Sequence, residues 1–295
     1  MTVSCTWIAV DWGTTHLRAW AMSASGSILA EASSADGMGT LDRAGFGPAL
    51  DRLCADWDTV PVIACGMVGS RQGWAEAPYA TVPCAPLTGP FATVSSDRFT
   101  VQIIPGLKQP TPADVMRGEE TQIAGFLAQN PNWDGVICLP GTHTKWVHIS
   151  ADEVVSFQTC MTGDLFAAIS GHTVLRHSCA EGWDDAGFAQ GLDDALSRPE
   201  RLAARLFSLR AESLLHDLQQ PQARARLSGL LIGAELAATK PYWLGQQVAV
   251  IGAGGLAHLY VTALATQGVS ATQVNAERTT LAGLTAAYHL WKDTL

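Results

Sequence analysis

The chain opens on an apolar run, Ile8-Ala9-Val10, that meets a single acid at Asp11. It then turns through Gly13-Thr14-Thr15 and resumes as alternating apolar and polar residues from Leu17 to Trp20. An apolar run, a short glycine turn and a period of two predict adjacent antiparallel strands. Ser27 to Ala32 follows a Ser25-Gly26 turn and reads as a third short strand. Pro48 opens a helix with Leu50, Leu53, Cys54 and Trp57 on one face, and Val60 to Cys65 is a short apolar strand. Three strands, a helix and a strand suggest one α/β domain. From Gly73 to Pro110 the pattern dissolves among prolines, which marks either a functional insertion or a set of short strands.

The helical period returns beyond Gly118 with Ile123, Phe126 and Leu127, and Glu119 and Glu120 fall in its first turn. The helix dipole favours acids there whether or not they have a chemical role. The opening pattern then recurs about 128 residues on: Val136 to Pro140 is a strand, Gly141-Thr142-His143-Thr144 a turn, Lys145 to Ile149 a returning strand and Val154 to Phe157 a third. A repeat of this size implies two similar α/β domains, set at residues 1–112 and 113–295, with the last helix able to return to the first of them. The second half is helix-rich. Ser197-Arg198-Pro199-Glu200 has capping-box spacing ahead of Leu202, Leu206 and Leu209, and Pro221 opens a helix that reaches Ala234. Gln247 to Ile251 is a buried-strand run that leads into Gly252-Ala253-Gly254-Gly255 and a helix carrying Leu256, Leu259, Tyr260 and Ala263. A short strand at Thr272 to Val274 precedes a last helix with Leu281, Leu284, Tyr288 and Trp291 on one face.

Composition narrows the function classes. A 47% hydrophobic, 15% charged chain of 295 residues is globular and long enough for two domains. With 18 basic against 27 acidic residues and no Lys/Arg cluster, nucleic acid is not an expected partner. Any anion must be held by local backbone donors and a few placed cations. No 18 apolar residues run together and Asp11 interrupts the one N-terminal candidate for a leader, so the expectation is a cytoplasmic protein without membrane partners. Seven cysteines without a Cys-x-x-Cys pair read as buried thiols. His172, His177, His216, His258 and His289 have no metal-ligand spacing.

The candidate chemistry sits at the turns. Glycine admits a ligand to the backbone, threonine hydroxyls and amides donate to phosphate oxygens, and a carboxylate at a strand end can hold a hydrated divalent cation. A glycine loop at a strand-to-helix turn leaves a flat slot for a base. Val248 to Ala257 also satisfies the strand, G-x-G-x-x-A, helix pattern of a dinucleotide-binding enzyme, with Glu277 about 20 residues beyond. That reading needs several further strands, and only one short strand and a helix follow. A non-catalytic ATP-driven regulator is a third option.

The order Asp11-x-Gly13-Thr14-Thr15, Gly141-Thr142-His143-Thr144-Lys145, Gly252-Ala253-Gly254-Gly255 resembles the actin/hexokinase/Hsp70-type ATPase superfamily, in which two ribonuclease-H-like domains close on ATP and magnesium. Within it the chain is similar to the 2-dehydro-3-deoxygalactonokinase family. The matching stretches include Cys65-Gly66-Met67-Val68-Gly69-Ser70, Met116-Arg117-Gly118-Glu119-Glu120-Thr121-Gln122, Met161-Thr162-Gly163-Asp164-Leu165 and Ser228 to Glu235; Asp164 stands where the family often has Glu. The resemblance implies ATP-dependent phosphorylation of the terminal hydroxyl of 2-dehydro-3-deoxy-D-galactonate. In that frame Asp11 would hold Mg²⁺. Gly13, Thr14, Thr15, Gly141, Thr142, His143 and Thr144 would line phosphates, with Arg18 and Lys145 as charge partners. Glu119 is the first choice of base, Glu120 the second and Asp114 the third, by order along the chain relative to sugar kinases. Gly252, Gly254 and Gly255 would face adenosine. Arg71 and Arg117 suit a substrate carboxylate, with Trp74 beside them in the sugar-acid loops. Another small-molecule kinase of the superfamily remains an alternative, and a homo-oligomer is compatible with this reading.

Overall fold

In the computed structural model, which describes residues 3–294, β1 (Trp7–Trp12) pairs antiparallel with β2 (Leu17–Met22), placing Asp11 opposite Arg18. β3 (Ile28–Ser34) continues the antiparallel meander. α1 (Phe46–Leu53) begins two residues before Pro48, and Trp57 lies beyond its end although its ring is buried. β4 (Val62–Gly66) runs parallel to β1. The proline-rich stretch resolves into short strands: β5 (Tyr79–Thr81), β6 (Ala92–Ser95), β7 (Thr100–Ile103) and β8 (Gly106–Pro110), followed by β9 (Ala113–Met116). The larger sheet has the order β3-β2-β1-β4-β7-β6, and β5-β8-β9 form a small one. α2 (Glu119–Gln129) follows.

β10 (Gly135–Leu139), β11 (Thr144–Ser150) and β12 (Glu153–Cys160) then repeat the meander. Next come α3 (Thr162–His172), α4 (Asp185–Ser197), α5 (Leu202–Leu215), α6 (Gln220–Ala238) and the single turn α7 (Lys240–Trp243). β13 (Val248–Gly252), α8 (Gly254–Thr266), β14 (Thr272–Asn275) and α9 (Ala276–Lys292) complete the order. The second sheet reads β12-β11-β10-β13-β14, with β13 parallel to β10. Three consecutive strands with the fourth parallel beside the first occur in both sheets, so the sequence repeat is also a topological one.

Ser197 closes α4 instead of opening the next helix. Pro199 cannot extend α4; it starts a single 3₁₀ turn, and α5 follows from Leu202 without a side-chain cap. α3 and α4 themselves carry no signal that the periodicity picked out.

The chain divides into two units. The first holds residues up to Asp134, Ile149–Ser156 and everything from Asn275; the second holds Gly135–His148 and Phe157–Val274. Residues 113–134, grouped by sequence with the C-terminal domain, pack in the first unit because α2 lies directly on α9. A methyl group on Gly125 would sit 1.9 Å from the Thr279 carbonyl oxygen, and one on Gly283 would sit 1.9 Å from that of Thr121. Only glycine at both positions lets the two backbones meet.

α9 also explains why β1 is apolar without alternation. Ile8, Val10 and Trp12 face a core with Phe46 and Leu50 of α1, while Trp7 and Ala9 face Leu284, Ala287 and Tyr288 of α9. Trp7 and Tyr288 stack with ring centroids 4.5 Å apart. A sheet covered on both faces needs apolar residues at every position. In the second unit, Val136, Cys138, Val248 and Val250 pack with Phe188, Ile232 and Tyr260 of α4, α6 and α8.

Candidate functional site

The turn between β1 and β2 is closed by the Gly13 amide donating to the His16 carbonyl at 2.9 Å. Residues 38 and 39 brace it, the Met38 amide donating to the Gly13 carbonyl at 3.0 Å and the Gly39 amide to that of Thr14 at 2.8 Å. The Thr14, Thr15 and His16 side chains remain exposed, with Thr15 Oγ1 2.9 Å from His16 Nδ1. Asp11 stands at the end of β1. Arg18 donates to its Oδ2, and the Cys65 thiol lies 3.8 Å from its Oδ1. Arg18 also reaches Glu277 at 3.7 Å. Burial pushes the Cys65 thiol pKa well up, and the neighbouring charges of Asp11 and Glu120 add to this.

Gly118, at φ +103°, turns the chain from β9 into α2. Glu120 is fully buried. Its Oε2 accepts from the Gly118 amide at 2.6 Å and its Oε1 from Thr121 Oγ1 at 2.9 Å. Burial, then repulsion from Glu119, raises its pKa to about 7. Glu119 is half-buried and its Oε2 accepts from the Arg117 amide at 3.1 Å. Arg117 is buried; Nη2 donates to the Ala77 carbonyl at 2.8 Å and the guanidinium lies 4.3 Å from the centroid of the Tyr79 ring. Its Nε and Nη1 have no hydrogen-bond partner among the described residues. Such an orphaned cation is a candidate anion holder. The Asp114 Oδ1 accepts from the Val115 amide at 2.8 Å. Arg71 extends into solvent beside Glu76 at 3.4 Å, whereas Trp74 packs against Trp12 and Phe46. The structure therefore gathers Arg117, Glu119 and Glu120 around one turn. Arg71 and Trp74 are placed on the surface and against the α1 core.

In the second unit the hairpin at Gly141 is locked to α3. The Asp164 amide donates to the Thr142 carbonyl at 3.0 Å, and His143 Nε2 meets Asp164 Oδ2 at 2.7 Å. A methyl on Gly163 would sit 2.4 Å from the Gly141 carbonyl oxygen. Thr142 and His143 are exposed, but Thr144 and Lys145 turn inward. Thr144 Oγ1 lies 2.9 Å from the Tyr260 hydroxyl, and Lys145 Nζ donates to Thr159 Oγ1 at 2.8 Å. At the other strand end Gly252 packs on Ala257, while Gly254, at φ +57°, and Gly255 open the N-terminus of α8 with no neighbour where a Cβ would point. A pocket of about 270 Å³ in this unit is lined by Gly141, Phe166, Trp183, Arg224, Leu256 and Tyr260 among others. Its walls are mostly apolar, with the Arg224 guanidinium 4.9 Å from the centroid of the Phe166 ring. A pocket of apolar and aromatic walls with one cation suits a flat heterocycle.

Beneath the pocket lies a buried carboxyl that sequence reasoning gave no role. Glu235 accepts from Trp146 Nε1 at 2.8 Å, from the Tyr260 hydroxyl at 2.8 Å and from Thr162 Oγ1. Burial raises its pKa and these three donors oppose the rise. Its signal was available: it is a lone acid in the apolar run from Leu230 to Leu236. Asp164, the partner of His143, was visible only as a departure from a family pattern.

Among the described residues no three His, Cys, Asp or Glu side chains cluster as a metal cage. Asp11 offers one carboxylate at the end of β1, with Arg18 on its Oδ2, and a hydrated Mg²⁺ that also takes phosphate and water ligands needs one or two protein carboxylates.

The model of the family described as 2-keto-3-deoxy-galactonokinase matches residues 11–287. A protein of Rhizobium meliloti assigned as a 2-dehydro-3-deoxygalactonokinase is 42% identical, over 97% of this chain and 98% of its own. The 2-dehydro-3-deoxygalactonokinase of Escherichia coli is 35% identical over 96% and 97%. A crystal structure of a Sinorhizobium meliloti protein with the same assignment superposes with a TM-score of 0.90 at 40% identity, covering 96% of both chains. The activator of 2-hydroxyisocaproyl-CoA dehydratase from Clostridium difficile, solved with bound ADPNP, shares the fold alone. It has a TM-score of 0.50 and 13% identity over 97% of this chain and 96% of its own. The two mixed sheets thus match actin-like ATPase structures.

Proposed function

The chain belongs to the 2-keto-3-deoxy-galactonokinase family, and we infer that it transfers the γ-phosphate of ATP to the terminal hydroxyl of 2-dehydro-3-deoxy-D-galactonate, giving the 6-phosphate used in galactonate catabolism. The observation that carries the reading is the duplicated strand–turn–strand hairpin, matched in topology as well as in sequence, within a chain alike over its full length to such kinases.

Phosphoryl transfer asks the protein mainly for positioning and charge neutralisation. Thr14 and Thr15 supply donors in one unit, on the turn that Gly13 shapes; Gly141, Thr142 and His143 supply them in the other. The inward-facing Thr144 and Lys145 support their hairpin from within, and Arg18 offsets the charge of Asp11. Asp11 would hold Mg²⁺, which when bound neutralises phosphate charge. The pocket lined by Phe166, Trp183 and Leu256, beside the Gly252-Gly254-Gly255 turn, takes adenosine. Glu119 accepts the proton of the attacking hydroxyl. Glu120 is less suited because both its oxygens are engaged and it is sealed from solvent. Arg117, buried and with two guanidinium nitrogens unpaired among the described residues, supplies the positive charge that answers the carboxylate of the sugar acid. Among the described residues no helix is long and apolar enough to cross a membrane, and the acceptor is a small molecule.

The test is an ADP-release assay across a panel of 2-keto-3-deoxy sugar acids, including the gluconate epimer. Turnover with the galactonate compound is expected to exceed that with the epimer. ADP release from none of the panel would remove the reading.

A further inference from the structure

We propose that Glu235 is a positioning residue for the nucleotide phosphates, acting through a hydrogen-bond relay of fixed direction that ends on the Gly141 hairpin; this rests on the kinase reading above. The relay is set by proton counting. Tyr260 has one hydroxyl proton, and it is given to Glu235 Oε2 at 2.8 Å. The 2.9 Å bond between Thr144 and Tyr260 therefore runs from Thr144 Oγ1 to the Tyr260 oxygen. The Thr144 hydroxyl proton is committed inward. What this residue offers a phosphate is its backbone, held in place by the side chain.

The same carboxylate holds Thr162, the first residue of α3, and Trp146 of β11. Thr162 precedes Gly163, which touches the Gly141 and Thr142 backbone, and both Thr162 and Tyr260 line the apolar pocket. One buried carboxyl, 4% exposed, thus ties the floor of the apolar pocket to β11 and to the start of α3, which packs on the Gly141 hairpin. The direction of the relay follows from Glu235 acting as the acceptor in all three bonds. As a carboxylate it accepts from all three partners, whereas a glutamine that keeps its oxygen on Trp146 turns its NH2 to the Thr162 and Tyr260 hydroxyls and reverses the relay, so that Tyr260 donates to Thr144.

The experiment is calorimetric titration of adenosine and of ADP into the wild-type protein, E235Q and Y260F. Both variants are expected to lose about tenfold or more in ADP affinity, E235Q by reversing the relay and Y260F by leaving the Thr144 hydroxyl without its acceptor, and no more than about threefold for adenosine. The double variant should be no worse than E235Q alone, since both act on one relay. In turnover, KM for ATP should rise with KM for the sugar acid unchanged. Equal losses for adenosine and ADP, additive losses, or unchanged ADP binding would overturn the proposal. If E235Q fails to fold, Y260F and Thr144→Val carry the test by the same ratio of ADP to adenosine affinity. A wild-type protein that binds neither molecule overturns the kinase reading with it; a wild-type protein that binds ADP, with variants that do likewise, overturns only the relay.

Discussion

Glu120→Gln separates a buried structural acid from a working base. Glu120 has a folded pKa of about 7 against an ordinary 4.5, chiefly through burial. Below about pH 4.5 the group is protonated in both folded and unfolded chains and contributes no difference. Between the two values the unfolded chain releases its proton while the folded chain keeps it, so stability falls as pH rises. Above about pH 7 the loss is complete and constant. At about 1.4 kcal/mol for each unit, the gap corresponds to roughly 3 kcal/mol. Glutamine carries no charge at any of these pH values. Its amide can accept from the Gly118 N–H and turn its nitrogen to Thr121 Oγ1, replacing both present bonds. E120Q should therefore be about 3 kcal/mol more stable than the parent near pH 8.5, with the advantage fading toward pH 4.5. Urea unfolding at about pH 5, 7 and 8.5 reads the difference, with equal m-values confirming a like-for-like comparison. A stability difference that does not change with pH would refute the assignment of a buried, proton-holding Glu120. Phosphoryl transfer should persist in E120Q within about tenfold, since the residue shapes the turn and does not take the proton.

Glu119→Gln is expected to lower kcat by about 10²- to 10⁴-fold while ADP still binds, and unchanged turnover would exclude Glu119 as the base. Asp11→Asn should weaken ATP binding in the presence of magnesium far more than in its absence, checked by paired titrations with and without a chelator; equal effects would exclude a metal role. Gly163→Ala places a methyl 2.4 Å from the Gly141 carbonyl oxygen and must displace the hairpin, so ATP affinity should fall about tenfold or more. Unaltered affinity in that variant would mean that the hairpin does not bear on phosphate.

The two hairpins were legible because their information is local. A glycine-threonine turn between a short apolar run and a returning strand needs no tertiary contact to be recognised, and the repeat of the pattern at Gly141 gave it weight. The strands β5 to β9 were not legible, since runs of three to five residues are too short to establish alternation. α3 was hidden by an absence of contrast: Phe166-Ala167-Ala168-Ile169 is apolar around the helix, and most of the helix is not buried. Residue type alone brought Arg117 forward, but its stacking on Tyr79 and its unpaired nitrogens are tertiary facts. It could equally promote Arg71, which the fold places in solvent beside Glu76. Thr144 and Lys145 showed the opposite bias. Their types suit phosphate, yet in this fold both side chains bond inward, to Tyr260 and Thr159. The division at Asp134 was beyond local reading because it depends on two glycines, Gly125 and Gly283, whose meeting only the folded chain reveals.

That meeting of α2 and α9 has a bearing on how the protein is made. The acids at the start of α2 leave the ribosome early, but the helix on which their own helix is seated is translated after the whole second unit. A nascent chain that has finished β1 to β4 and α2 still presents an uncovered sheet face where Trp7, Ala9 and Ile63 await Leu284 and Tyr288. Native assembly of the first unit is therefore postponed until nearly all of the described chain exists. Interrupted synthesis leaves an apolar surface for the cell's quality control to recognise, and no half-made enzyme carrying a seated acid pair.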